Sequence, residues 1–86
     1  MDNAEFVERA KVLYDRLRVQ AQVLDHSSNH ATNELVRAAC STLGSANVVL
    51  ATLLGAGPDA AITIIEHWLE SNETLLVNFV EVGGIA

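Results

Sequence analysis

The sequence predicts an all-α fold, a three-helix up-down-up bundle that assembles as a symmetric helical oligomer. Three segments of the 86-residue chain repeat apolar residues with the 3.6-residue period of an α-helix. Two clusters of turn-forming residues, Asp25–Asn29 and Gly55–Asp59, separate these segments. No segment alternates apolar and polar residues as a strand does. The short connections favour antiparallel neighbouring helices within a single domain, residues 1–86.

The first helix is predicted over about residues 3–26. Asp2 and Glu5 are placed to form a capping-box-like start. At 100° per residue, one face gathers the apolar side chains that we expect to contact the rest of the bundle. Its members are Phe6, Val7, Ala10, Leu13, Tyr14, Leu17, Ala21 and Leu24.

A second apolar stripe runs along nearly the opposite side of this helix. It consists of Val12, Val19 and Val23, and Arg9 and Arg16 border it. An isolated three-helix bundle would leave the stripe in water, so we predict that it lies at a homodimer interface. Arg9 and Arg16 are then expected to meet acidic residues across the two-fold axis.

The second helix is predicted over about residues 30–54. Its large apolar face consists of Leu35, Val36, Ala39, Leu43, Ala46, Val49, Leu50, Leu53 and Leu54. The opposite side is made mostly of small residues, namely Cys40, Ser41, Gly44, Ser45, Ala51 and Thr52. Gly44 costs about 1 kcal/mol of helix propensity. Gly44 has two interpretations. One is close helix packing at the oligomer interface, and the other is a flexible point in the helix.

The third helix is predicted over about residues 59–82. Gly57 suits a left-handed helix C-cap, Pro58 suits the first helical position, and Asp59 faces the positive end of the new helix dipole. The apolar face is wide enough to contact two neighbouring helices. It consists of Ala61, Ile62, Ile64, Ile65, Trp68, Leu69, Leu75, Leu76, Phe79, Val80 and Val82.

Asn72 lies near the middle of this apolar face. A buried amide without partners costs roughly 1–3 kcal/mol, so it needs hydrogen bonds. One interpretation is an interface residue that fixes the register and oligomeric state of packed helices. The other is a core asparagine that is satisfied within its own chain by a backbone carbonyl or water.

The predicted core draws on all three helices. Its members are Leu13, Leu17, Leu50, Leu53, Ile65, Trp68, Leu69, Leu76 and Phe79.

The composition also favours association. Half of the residues are apolar and 19% are charged, against about 25% in ordinary domains. A chain this short has a high ratio of surface to volume and should need fewer apolar residues than average, not more. We therefore expect some apolar surface to be buried against another chain.

The net charge of −6 is unevenly distributed. Residues 1–24 carry four acids and four bases, whereas residues 25–86 carry seven acids and Arg37 as their one base. An acidic body repels phosphate backbones, so we expect no nucleic-acid partner, although the charge can steer a basic protein. The acidic N-terminus does not resemble a signal peptide, and the single Cys40 fits a reducing cytoplasm.

An uncharged stretch from Ala38 to Pro58 is about long enough to span a bilayer. It contains several polar residues and is rich in Gly and Ala. We interpret it as the central helix of a bundle and expect no membrane partner.

None of the candidate reactive groups forms a convincing site. His26 and His30 are spaced for a metal, but the predicted break between them removes their common helical face. The acids around His67 lie on a solvated helix face, and Cys40 has no base nearby. Trp68 is expected in the core. The sequence thus predicts no enzyme, no metal and no cofactor.

Asn33–Glu81 carries three short strings that resemble a known family. They are Glu34-Leu35-Val36, the run Leu43-Gly44-Ser45-Ala46-Asn47-Val48-Val49, and Leu76-Val77-Asn78. The match is to a family of short bacterial helical proteins known only as a domain of unknown function. It leaves the first helix unmatched and needs a short deletion near Gly57. The family implies a helical pair and no activity or site residue.

From the sequence we predict a small, acidic, non-catalytic interaction or regulatory module that self-associates and binds a protein partner. The predicted interface residues are Val12, Arg16, Val19, Val23, Gly44 and Asn72. The alternative is a helical sensor or sponge for a small molecule, with its site at the oligomer interface.

Overall fold

The computed structural model describes residues 1–85, and the prediction of three helices is confirmed. The helices are α1 (Asn3–His30), α2 (Glu34–Ala56) and α3 (Asp59–Glu81). They form an elongated body of 45 × 18 × 15 Å. Each helix runs antiparallel to the one before it, and α1 packs far more extensively on α2 than either helix packs on α3. The helix contacts are those of a bundle, whereas its assembly into an oligomer stays a prediction.

The first turn lies one helical turn later than predicted. The predicted break at Asp25–Asn29 is wrong, because α1 continues through these residues to His30. Ser27 is buried against the bundle, and the Ser28 hydroxyl donates a hydrogen bond to the Arg37 carbonyl at 3.3 Å. Asn33 is the N-cap of α2 instead, since its side-chain oxygen accepts a hydrogen bond from the Leu35 amide at 2.8 Å. Turn-forming residues thus stay helical where their side chains find partners.

The second turn follows the prediction to within two residues, because α2 ends at Ala56 and α3 begins at Asp59. Gly57 adopts the left-handed conformation with φ of 95°, and its N–H donates to the Leu54 carbonyl at 3.2 Å. Pro58 occupies the N-cap position, and α3 begins at Asp59. Here glycine permits the left-handed conformation and proline fixes φ, so no tertiary contact is needed to place the turn.

The interior consists of two apolar clusters. The first cluster includes Leu13, Leu17, Leu54, Ile62, Ile65 and Leu69, with Leu50 and Trp68 packed against it. The second includes Leu24, Ala31, Val36 and Cys40, with Leu43, Leu76 and Phe79 at its edge. All of the predicted core residues are buried or half-buried except Leu53, which is 50% exposed, so that prediction was wrong for Leu53.

The small residues of α2 face α1 of the same chain. Cys40 is fully buried, and a Cβ placed on Gly44 would lie 3.6 Å from Cβ of Leu24 and 3.9 Å from the carbonyl oxygen of Ala21. Close packing at Gly44 is therefore confirmed. Its placement at an interface with another chain stays a prediction, because Gly44 is half-buried beside α1.

Replacing Gly44 with alanine is expected to stabilise the fold by about 0.5–1 kcal/mol. The new Cβ fits at ordinary van der Waals distance, and the helix gains the propensity that glycine lacks. Urea denaturation measures the change. Gly55→Ala is the matched control, because nothing lies within 4 Å of its Cβ position. A loss of stability in Gly44→Ala alone would mean that α1 and α2 approach more closely than described.

The segment after α3 folds back onto the first turn. Gly83 has φ of 73°, and Gly84 is buried with its Cβ position 2.6 Å from Cγ2 of Val36. The Thr32 amide donates to the Gly84 carbonyl at 2.9 Å, and the Thr32 hydroxyl donates to the Gly83 carbonyl at 3.1 Å. We call this contact the clasp. It joins the α1–α2 turn to the chain that follows α3.

Candidate interaction surfaces

A layer of amide side chains crosses the interior between the two apolar clusters. Each helix supplies one amide, namely Gln20, Asn47 and Asn72, and all three are buried. The Asn47 amide nitrogen donates to Oε1 of Gln20 at 3.1 Å, and the Asn72 amide nitrogen donates to the same oxygen at 2.8 Å. Trp68 donates through Nε1 to Oδ1 of Asn47 at 2.6 Å. We call these four residues the amide layer.

The layer is closed within the chain. Gln20 donates to the Leu69 carbonyl at 3.1 Å, and Asn47 donates to the Leu17 carbonyl at 3.2 Å. Among the described residues, every buried side-chain nitrogen and oxygen has a hydrogen-bond partner. Asn72 is 1% exposed and bonded within its own chain, which does not fit a place at an oligomer interface. It is a satisfied core residue, but its partners are side chains and not the backbone carbonyl or water that the sequence suggested. Its partners are the amides of Gln20 and Asn47.

The valine stripe of α1 is exposed, as its sequence pattern predicted. Val12, Val19 and Val23 are all accessible. We call these three residues the valine face. Its role at an interface stays a prediction.

The arginines that border the valine stripe already have partners in the same chain. Nη2 of Arg9 lies 2.8 Å from Oε1 of Glu66, and Nη2 of Arg16 lies 3.9 Å from Oε1 of Glu73. The expectation that these arginines meet acids of a second chain stays a prediction. Both pairs are largely solvent-exposed and are worth little to stability. Arg16 thus borders the valine face as part of an ion pair.

A larger apolar surface lies where α2 and α3 border each other. Gly44 lies on the flank of α2 that packs on α1. The other flank carries large apolar residues, of which the sequence had assigned Leu53 to the core. On α3, Trp68 marks the flank toward α2 through its bond to Asn47. We call the exposed members of these two flanks the α2–α3 face. They are Leu35, Val49, Leu53, Ile64, Leu75 and Val82, between 38% and 81% exposed.

This face carries no ionised group. At 100° per residue, the carboxylates of α3 fall within an arc of about 80° on its opposite flank, toward α1. The charged residues of α2, Glu34 and Arg37, lie in its first turn and away from the α3 flank. The α2–α3 face therefore carries no charge along the length of both helices.

The candidate reactive residues do not converge. His26 and His30 do share a face, because α1 is unbroken, but their rings stack with centroids 4.1 Å apart, and His30 donates through Nδ1 to the His26 carbonyl at 2.9 Å. No three metal-binding side chains cluster among residues 1–85. Burial raises the pKa of the Cys40 thiol, so its reactive thiolate is disfavoured.

Open grooves run between α1 and α2. One, of about 320 Å³, is lined by Tyr14, Arg18, Val48 and Ala51 among others. The second, of about 380 Å³, begins on the other side of Tyr14 and reaches Phe6 and Leu54. Both volumes are at the lower end of the range for ligand sites.

Within the described residues, α2 is the helix whose length and apolar composition would suffice to cross a membrane. The apolar helix of a soluble bundle meets the same criterion. In this chain α2 packs along α1 and contributes Asn47 to the amide layer.

Comparisons with family models, with curated proteins and with solved structures gave no match to this chain. The resemblance to the family of short bacterial helical proteins therefore stays a prediction.

Proposed function

We propose that the protein is a non-catalytic interaction module that self-associates and binds a second protein, and that it works in the cytoplasm. The observation that carries the proposal is the amount of apolar surface outside the core. Fifteen large hydrophobic residues are exposed, and most of them belong to the valine face or to the α2–α3 face. Extended apolar surfaces on a small protein mark contacts with other macromolecules.

The valine face is the proposed contact for the partner protein. Its apolar centre is bordered by the ion pairs of Arg9 and Arg16, which resembles the apolar core and polar rim of protein interfaces. Glu5 and Glu8 lie on the same side of α1, and the chain as a whole is acidic. A partner segment with apolar side chains and a basic rim would complement this surface.

The test uses the full chain as bait in a native lysate, beside a variant carrying Val12→Asp and Val19→Asp. Both valines are exposed, so the variant should keep its helical content by circular dichroism. We expect the wild-type chain to retain a specific protein that the variant loses. Equal retention by both chains would contradict the valine face. A wild-type chain that retains no specific protein and stays monomeric at tens of micromolar would contradict the whole proposal.

A small-molecule sensor is the second candidate, and the grooves beside Tyr14 favour it. Their position between α1 and α2 differs from the oligomer interface expected from the sequence. A metabolite that raises the melting temperature of the wild-type chain, but not of Tyr14→Ala, would support this candidate.

A further inference from the structure

We infer that the α2–α3 face binds a second copy of this chain across a two-fold axis, giving a six-helix assembly with a four-helix centre. This inference rests on the proposed function and names the surface used for self-association. It replaces the valine stripe, which the sequence had suggested for that role. Three observations carry it, namely the area of the face, its lack of charge and its shape.

The large side chains of this face supply most of the apolar area that a stable dimer needs. A fully exposed aliphatic side chain presents about 60–120 Å² of apolar surface, so the six half-exposed to mostly exposed members of this face present about 300–400 Å². A standard interface buries about 800 Å² on each partner, of which somewhat more than half is apolar. The alanines between the large side chains add to the apolar total.

The charge distribution selects this face for a symmetric contact. Each copy carries a net charge of −6, so two copies repel each other unless the surfaces that meet are free of carboxylates. The α2–α3 face meets that condition. The valine face does not, because Glu5, Glu8 and Glu73 border it and would be brought near the same residues of the other copy.

The geometry also fits a second copy. The α2 and α3 helices are antiparallel, equally long and in limited contact, so they form a two-helix layer about 35 Å long. Two such layers facing each other make an antiparallel four-helix arrangement with α1 of each copy on the outside. A two-fold axis places the same surface of each copy against that of the other, so both faces are buried in one contact.

Light scattering on the full chain tests the inference. At tens of micromolar we expect the wild-type chain at twice its mass of 9.2 kDa. A variant with Leu53→Asp and Leu75→Asp is expected to be monomeric with unchanged helical content, because both side chains are exposed in the single chain and association would bury charge. The dissociation constant should rise about 100-fold or more. Raising the salt concentration should not weaken the wild-type dimer.

The matched control is the variant with Val12→Asp and Val19→Asp, which adds the same charge at equally exposed positions. It should stay dimeric. A monomeric valine variant beside a dimeric leucine variant would overturn the inference while leaving self-association intact. A monomeric wild-type chain would overturn it as well, and if that chain also sedimented with neutral phosphatidylcholine vesicles, the α2–α3 face would be a membrane-binding surface.

Discussion

Replacing Asn47 with alanine is expected to lower the free energy of unfolding by about 2–4 kcal/mol. The change removes the oxygen that accepts the Trp68 N–H and the donor that reaches the Leu17 carbonyl and Gln20. It also leaves a small cavity at the point where the two apolar clusters meet. Urea denaturation at fixed protein concentration measures the loss, since association contributes to apparent stability.

Two comparisons separate the hydrogen bonds from the cavity. Thr52→Ala in the same helix removes an exposed hydroxyl and should change stability by less than about 0.5 kcal/mol. Trp68→Phe removes the N–H that Asn47 accepts, so combining it with Asn47→Ala should give a coupling energy of about 1–2 kcal/mol. Additive effects would mean that the indole and the amide do not depend on each other.

The second large effect is expected at Leu17, where substitution by alanine should cost about 2–5 kcal/mol. Leu17 is 1% exposed and lies in the first apolar cluster, directly beside the amide layer. The void cannot collapse easily because hydrogen-bonded amides limit the movement of its neighbours. The melting temperature and the urea midpoint should both fall.

Val48→Ala is the comparison for Leu17, because Val48 is exposed on α2 and lies outside both the valine face and the α2–α3 face. Its effect should stay within about 0.5 kcal/mol. Similar losses of unfolding free energy in the two variants would contradict the described packing, in which Leu17 is buried and Val48 is exposed.

The sequence predicted best those features that local chemistry determines. Gly57 permits the left-handed backbone and Pro58 fixes φ without help from the rest of the fold. The second turn and the start of α3 were therefore predicted correctly. The first turn depends on tertiary contacts, since Ser27 is buried and Ser28 bonds to Arg37. A count of turn-forming residues cannot include those contacts, and the predicted break was therefore wrong.

The orientation of α2 was the main error about the surface. The sequence grouped large side chains on one apolar face of α2 and assigned Leu53 to the core, but α1 packs closely on the small-residue flank at Gly44. Leu35, Val49 and Leu53 are consequently exposed. Size and periodicity indicate which residues are apolar but not which flank a neighbouring helix will choose.

The amide layer was only partly visible in the sequence. The sequence identified Asn72 as a candidate buried polar residue, because it interrupts an apolar face. Gln20 and Asn47 have the pattern of ordinary surface residues. Asn47 does stand on the buried flank of α2 between Cys40 and Leu54, and that spacing would have identified it once the orientation of α2 was known. Polar core residues are recognised through their partners, which lie on other helices.

The clasp has a consequence for how the chain opens. The Thr32 amide sits in a short turn, where hydrogen exchange is ordinarily fast, yet it bonds to the Gly84 carbonyl across more than fifty residues of sequence. It can exchange only when the segment after α3 has detached. Protection of this single amide from exchange therefore reports whether α3 is docked on the α1–α2 pair. The amide reports this although it lies in a turn and outside every helix.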